Sequence, residues 1–203
     1  MTGNLHIYVL AIPLLAALLV NLLGRYRTEL IQPLVIGALA LSLAAALKTL
    51  AGVLEHGAFS YTVGNWQPPF GIELVVDHLS ALMLVLVSAV ALVASFASLH
   101  SVARELADRQ NHFFTLYLIL IAGLHGLVLT GDAFNLYVLL EITSITTYGL
   151  IAMGRGRAPL SSFNYIIMGS IAACFYLLGV GYLYILTGTL NMADIAARLP
   201  LVD

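Results

Sequence analysis

The chain has 203 residues, 61% of them hydrophobic and 9% charged, with a formal net charge of −2 at pH 7. A water-facing domain carries about 25% charged residues, so the sequence reads as a polytopic membrane protein, and its slightly acidic balance argues against a nucleic-acid surface. A single cysteine, Cys174, excludes an intrachain disulfide and leaves no cysteine-based metal site to expect.

A spanning helix needs about 20 apolar residues. Residues 1–24 contain no Asp, Glu, Lys or Arg and lack the basic start and small-residue cleavage site of a signal peptide. A first helix is therefore expected over 5–23, kinked by Pro13. A second is expected over 31–54, interrupted only by Lys48. Between this helix and the next, Phe59-Ser-Tyr61-Thr-Val63 alternates, Gly64-Asn65-Trp66-Gln67-Pro68-Pro69 breaks, and Phe70-Gly-Ile72-Glu-Leu74-Val-Val76 resumes. That pattern predicts a β-hairpin, with Tyr61 and Trp66 suited to the membrane interface.

The charge-free runs 78–103 and 110–131 predict helices over 78–100 and 112–131. A fifth helix follows over 133–153, interrupted only by Glu141, after a turn so tight (Thr130-Gly131-Asp132) that the fourth and fifth helices must be antiparallel neighbours. The run 158–193 supplies a sixth helix over 163–187, and Asn191 with Asp194 reads as the cap of a short surface helix from Met192 to Leu199. Asp77 and Asp132 read as N-caps. Gly169, Ser170, Ala172 and Ala173 give the sixth helix a small face suited to close packing, and Cys174 reads as a small core residue. The expected fold is all-α integral membrane, six transmembrane helices with a short outer β-hairpin between helices 2 and 3, in one membrane domain over 1–203.

Arg25, Arg27, Arg104, Arg109, Arg155 and Arg157 all fall in loops at one end of such a bundle. The excess of basic residues marks that end as cytoplasmic. The chain is then multi-pass in the cell (inner) membrane, with both termini and the hairpin outside.

Glu141 carries the only full charge between Asp132 and Arg155. It lies about 14 Å from the outer end of its helix at 1.5 Å per residue, near the midplane of a core about 30 Å thick. Insertion scales put a charge there at roughly 2.5–3.5 kcal/mol unfavourable, so an intramembrane acid is a functional site by default. A carboxyl in a dry site favours its protonated form and can load and release a proton near neutral pH. Tyr137, Ser144 and Tyr148, at i−4, i+3 and i+7, share its helix face, and their hydroxyls can hold a proton relay beside it. The bland alternative is an acid neutralised by a neighbour for assembly alone.

His125, about 9 Å deep in the fourth helix, is either a proton relay at the depth of Glu141 or a histidine hydrogen-bonded to a neighbouring helix. Lys48 either snorkels to the interface or faces the bundle and modulates the charge of Glu141. No nucleotide loop, nucleophile triad, haem ligand pair or iron–sulfur spacing is present. No cofactor or metal is expected, nor redox or hydrolytic chemistry of the chain's own.

The stretch Phe70-Gly-Ile-Glu-Leu-Val-Val-Asp-His-Leu-Ser-Ala-Leu-Met83 resembles the entry to the third helix of the antiporter-like subunits, namely the D-type subunit of Mrp-type cation/proton antiporters and the related membrane-arm subunits of NADH:quinone oxidoreductase. Leu129-Thr-Gly-Asp-Ala-Phe-Asn-Leu-Tyr-Val-Leu-Leu-Glu141 is similar to that family's fifth helix, and Leu186-Thr-Gly-Thr-Leu-Asn-Met-Ala-Asp194 to the stretch closing its sixth. The resemblance implies that Glu141 holds the place of the family's proton-transferring glutamate, which a lysine on a seventh helix modulates. It implies the N-terminal part of a longer subunit, because family chains run to about twice this length with a second inverted unit and this one stops at Asp203. The pattern has Asn where His125 stands, so no family role passes to that residue.

The implied function is proton translocation within a multisubunit cation/proton antiporter. The implied partners are other membrane subunits of an antiporter or respiratory complex, together with protons and, as a further candidate, sodium, but no nucleic acid. Two alternatives remain open: a proton-pumping subunit of an NADH:quinone oxidoreductase-like or hydrogenase-like complex, and a truncated scaffold or assembly subunit.

Overall fold

A computed structural model of the chain describes residues 5–201. Six long helices are present: α1 (Leu5–Leu23), α2 (Ile31–His56), α3 (His78–Glu105), α4 (Gln110–Leu129), α5 (Ala133–Ala152) and α6 (Ala158–Thr187). Each is long and apolar enough to cross a membrane. A short helix, α7 (Met192–Arg198), follows. Helix α1 is a single element through Pro13. The sequence-based ends fall short chiefly for α3 and α6. These helices continue through Ser101–Glu105 and Ala158–Ser162, segments that include charged or hydroxyl side chains, because intrahelical hydrogen bonds do not need an apolar side chain.

The four helices α1–α4 form one packed unit. Helix α1 lies against α2 and α4, and α2 against α3. Towards the basic end its core contains Val20, Ile31, Val35, Leu39, Phe114 and Leu118. Towards the hairpin end it contains Val9, Ala46, Val53, Val76, Leu84 and Leu129. Helices α5 and α6 are added in sequence beside α4. Lipid competes with side chains for apolar contact, so close backbone approach matters more here than area burial. Gly123 and Gly126 provide it. A Cβ at Gly123 would stand 2.7 Å from Thr143 Cγ2, and one at Gly126 2.6 Å from Leu139 Cδ2.

Strands β1 (Phe59–Thr62) and β2 (Glu73–Val76) pair antiparallel, with Phe59 opposite Val76 and Thr62 opposite Glu73. The hairpin is also a seam. The Gly131 N–H donates to the Glu73 carbonyl at 2.8 Å, the Met192 N–H to the Gly131 carbonyl at 2.9 Å, and the Ala133 N–H to the Leu190 carbonyl at 2.8 Å. Asn191 Nδ2 donates to Glu73 Oε2 at 2.8 Å, while Asn191 Oδ1 accepts from the Ala193 and Asp194 N–H groups at the start of α7. Asn191→Ala should therefore loosen this end by about 2 kcal/mol, combining a lost cap with a lost charge-assisted bond. Hydrogen exchange over 189–198 and over the hairpin should accelerate together. Unchanged exchange in the hairpin would show that the Glu73 bond does not couple the two segments.

The expected caps are present. Asp77 accepts from the Ser80 N–H at 2.7 Å in a reciprocal capping box, and Asp132 accepts from the Asn135 N–H at 2.7 Å. The Ser80 N–H, with the Ser80 hydroxyl beside it, holds the Asp77 carboxyl below the usual carboxylate range. Helix α6 corrects two expectations. Cys174 is exposed rather than a core residue. Of the small face, Gly169 and Ala173 are half-buried, whereas Ser170 and Ala172 are exposed. The reason is position: among the described residues α6 packs chiefly on α5, with slighter contact to α7, so most of its circumference faces outward.

Candidate functional site

Glu141 sits at the middle of α5, half-buried, on the same helix face as Tyr137, Ser144 and Tyr148. Helix α6 borders this stripe at both ends. The Tyr137 ring stacks on Tyr176 with centroids 6.3 Å apart and planes 11° from parallel. Tyr176 anchors itself by donating its hydroxyl to the Ala133 carbonyl at 3.1 Å. At the other end Tyr148 is buried, meets Tyr165 edge-on at 4.9 Å, and lays its hydroxyl against Gly169, where a Cβ would collide with it. The Tyr148 carbonyl accepts from the Ser162 hydroxyl at 2.8 Å. The two tyrosines are thus fixed by α6, and Glu141 and Ser144 lie between them.

Among the described residues, no Lys, Arg or His comes within 4 Å of the Glu141 carboxyl. Lys48 is exposed on α2, a helix that packs on α1 and α3, so the chain does not bring it to Glu141.

His125 lies at the level of Glu141, because α4 and α5 run antiparallel with Gly126 beside Leu139 and Gly123 beside Thr143. It points the other way. Gly123 and Gly126 face α5, whereas His125 is fully buried among α1, α3 and α4, with Nε2 2.9 Å from the Ser88 hydroxyl of α3. Its Nδ1 has no hydrogen-bond partner among the described residues. Close by, the Ser42 hydroxyl of α2 donates to the Val9 carbonyl of α1 at 3.0 Å. The arrangement is a polar clasp inside the α1–α4 unit, on the opposite side of α4 from Glu141.

Sequence reasoning misses Ser88, Tyr165 and Tyr176. Ser88 carries a usable signal: Ser80, Leu84, Ser88, Ala91 and Ser95 recur at helical spacing, and all are buried. Tyr165 and Tyr176 carry none, since nothing in a single helix reports which tyrosine faces a neighbour.

Residues 130–201 match the family model for the NADH:quinone oxidoreductase/Mrp antiporter transmembrane region. The chain is 44% identical over 201 residues to NADH-quinone oxidoreductase subunit N of Desulforudis audaxviator, covering 98% of this chain and 40% of that one. It is 34% identical over 198 residues to the D-type subunit of the Na(+)/H(+) antiporter of Alkalihalophilus pseudofirmus, covering 97% of this chain and 39% of that one. Its fold matches a chain of the membrane-bound sulfane sulfur reductase, an archaeal respiratory membrane complex, with a TM-score of 0.91 and 32% identity, covering 98% of this chain and 40% of that one. The chain thus spans about 40% of the length of the relatives it matches.

Proposed function

Because the chain belongs to the family of antiporter-like membrane subunits, we propose that it translocates protons as part of a multisubunit cation/proton antiporter, with Glu141 as the proton site. The observation that carries this reading is an acid at mid-helix in α5, half-buried in a stripe of hydroxyls and free of a fixed counter-ion among the described residues. A permanent ion pair would lock the carboxylate in its charged form, whereas a carboxyl without one responds to charges that come and go. A unit charge about 7 Å away at an effective dielectric of about 20 is worth roughly 2–3 kcal/mol, which changes proton occupancy by well over tenfold. Coupling in this reading needs a cation brought up by another segment or another subunit. Tyr137, Ser144 and Tyr148 hold water or pass the proton along α5. His125, on the far side of α4, serves the packing of the α1–α4 unit and is at most a secondary relay. Lys48 snorkels to the outer interface.

The loops bearing Arg25, Arg27, Arg104, Arg109, Arg155 and Arg157 face the cytoplasm in this reading, with the hairpin seam outside. The partners are other membrane subunits, and the chain is the N-terminal part of a longer antiporter-like subunit. A second reading, a proton-pumping subunit driven by a redox partner, is favoured by the 44% identity to the oxidoreductase subunit and by the match to the sulfane sulfur reductase. The two separate in sealed vesicles carrying the assembled complex. With a sodium gradient and no electron donor, the antiporter reading expects proton movement. Movement only on addition of an electron donor would transfer the assignment to the redox-driven class, and none under either condition would remove proton translocation.

A further inference from the structure

At the basic end the loop leaving α1 meets the first turn of α4 around a half-open polar cavity of about 460 Å³. Asn21, Arg25 and Thr28 line one side, and Asn111 and His112 of α4 line the other. Gly24 makes the junction possible, since a Cβ there would lie 3.0 Å from the Asn111 Cβ and 2.5 Å from the Val20 carbonyl oxygen. Arg25 has no carboxylate within 4 Å among the described residues, although Asp108 stands on the same rim. The loops at this end carry six arginines against three carboxylates, Glu29, Glu105 and Asp108. Leu22, Leu23 and Tyr26, neighbours in sequence of the lining residues Asn21 and Arg25, are exposed apolar side chains at this end of the bundle.

We propose that this cavity holds the phosphate of an anionic phospholipid headgroup from the adjoining leaflet, with Arg25 as its cation. The cavity sits where α1 ends and α4 begins, which is the depth of the headgroups for a bundle of spanning helices. A guanidinium matches two phosphate oxygens in one plane, and a basic pocket between transmembrane helices is the feature that selects acidic headgroups. The Asn21, Thr28 and Asn111 side chains can bond the remaining polar atoms, while Leu22, Leu23 and Tyr26 support the acyl chains. The Asp108 carboxylate on the rim favours a singly charged phosphodiester over the more highly charged inorganic phosphate.

The test uses the chain reconstituted in vesicles of equal phosphatidylcholine and phosphatidylglycerol, re-extracted in mild detergent, with the co-purifying lipid quantified. Phosphatidylglycerol should be enriched about fivefold, the factor that one basic residue near an anionic surface contributes. Arg25→Gln should abolish the enrichment. Asn111→Leu, which fills the cavity without changing charge, should do the same, and Arg157→Gln, at the same end but outside the cavity, should leave it intact. No enrichment in the wild-type chain, enrichment that survives both cavity variants, or equal loss in Arg157→Gln would overturn the proposal. Displacement of phosphatidylglycerol by inorganic phosphate would overturn it in favour of a free-anion site. None of these outcomes depends on Glu141 or on proton transport.

Discussion

Glu141→Gln should reduce proton movement by the assembled complex to the background of empty vesicles while leaving the chain inserted and assembled. Glutamine keeps the shape, the hydrogen-bonding reach and nearly the helix propensity of glutamate, so α5 and its contacts with α4 and α6 should persist. It cannot take up a proton. Removing a charge from mid-membrane also relieves a cost of roughly 2.5–3.5 kcal/mol, so the variant should be at least as stable as the parent. Dye-reported proton flux in sealed vesicles, read beside co-purification of the partner subunits, separates chemistry from assembly. Normal flux in Glu141→Gln would remove the proton-site assignment. Loss of flux together with loss of assembly would mean that the carboxyl pairs with a neighbour for structure. Glu141→Asp, one methylene shorter, should retain a reduced flux.

His125→Ala should act mainly on stability. The ring is fully buried where α1, α3 and α4 meet, and its Nε2 lies 2.9 Å from the Ser88 hydroxyl. Truncation leaves a void and an unpaired hydroxyl. Hydrogen bonds between membrane helices average about 0.6 kcal/mol, and the void contributes more than the bond, so the expected loss is about 2–3 kcal/mol in all. Reversible unfolding in mixed micelles should show it, with Ser88→Ala giving a smaller loss and the double variant less than the sum of the two. Proton flux per folded molecule should fall less than in Glu141→Gln. A loss of flux as complete as that of Glu141→Gln, in a variant still folded, would make His125 part of the proton route.

Glu141 and the clasp around His125 differ in how openly the sequence displays them. A lone charge in an apolar helix stands out because the bilayer penalises it wherever it faces, so Glu141 and its stripe are legible from spacing alone. The antiparallel placement of α4 and α5 is equally accessible, since three residues, Thr130-Gly131-Asp132, leave no other path. The sequence also places His125 at the right depth, but depth follows from position along a helix and facing follows from rotation about it. Two glycines, Gly123 and Gly126, decide that rotation by drawing the other side of α4 onto α5. Cys174 misleads for a related reason: an apolar helix gives the same hydropathy whether its small residues meet protein or the outside.

What the sequence determined by itself is what the bilayer dictates: six apolar spans, a polar excursion between the second and third, basic loops gathered at one end, and one acid at the middle of the fifth span. Each follows from the energy of moving a residue type between water and lipid, a property of the local chain. Only the tertiary structure decided which faces meet. It joined the β2 edge to the turns at Gly131 and Asn191 through Glu73, set Tyr137 against Tyr176 and Tyr148 against Gly169 around the Glu141 stripe, and turned His125 away towards Ser88. Those choices depend on which side chains leave room for a neighbouring backbone, and that fit is a property of pairs of helices.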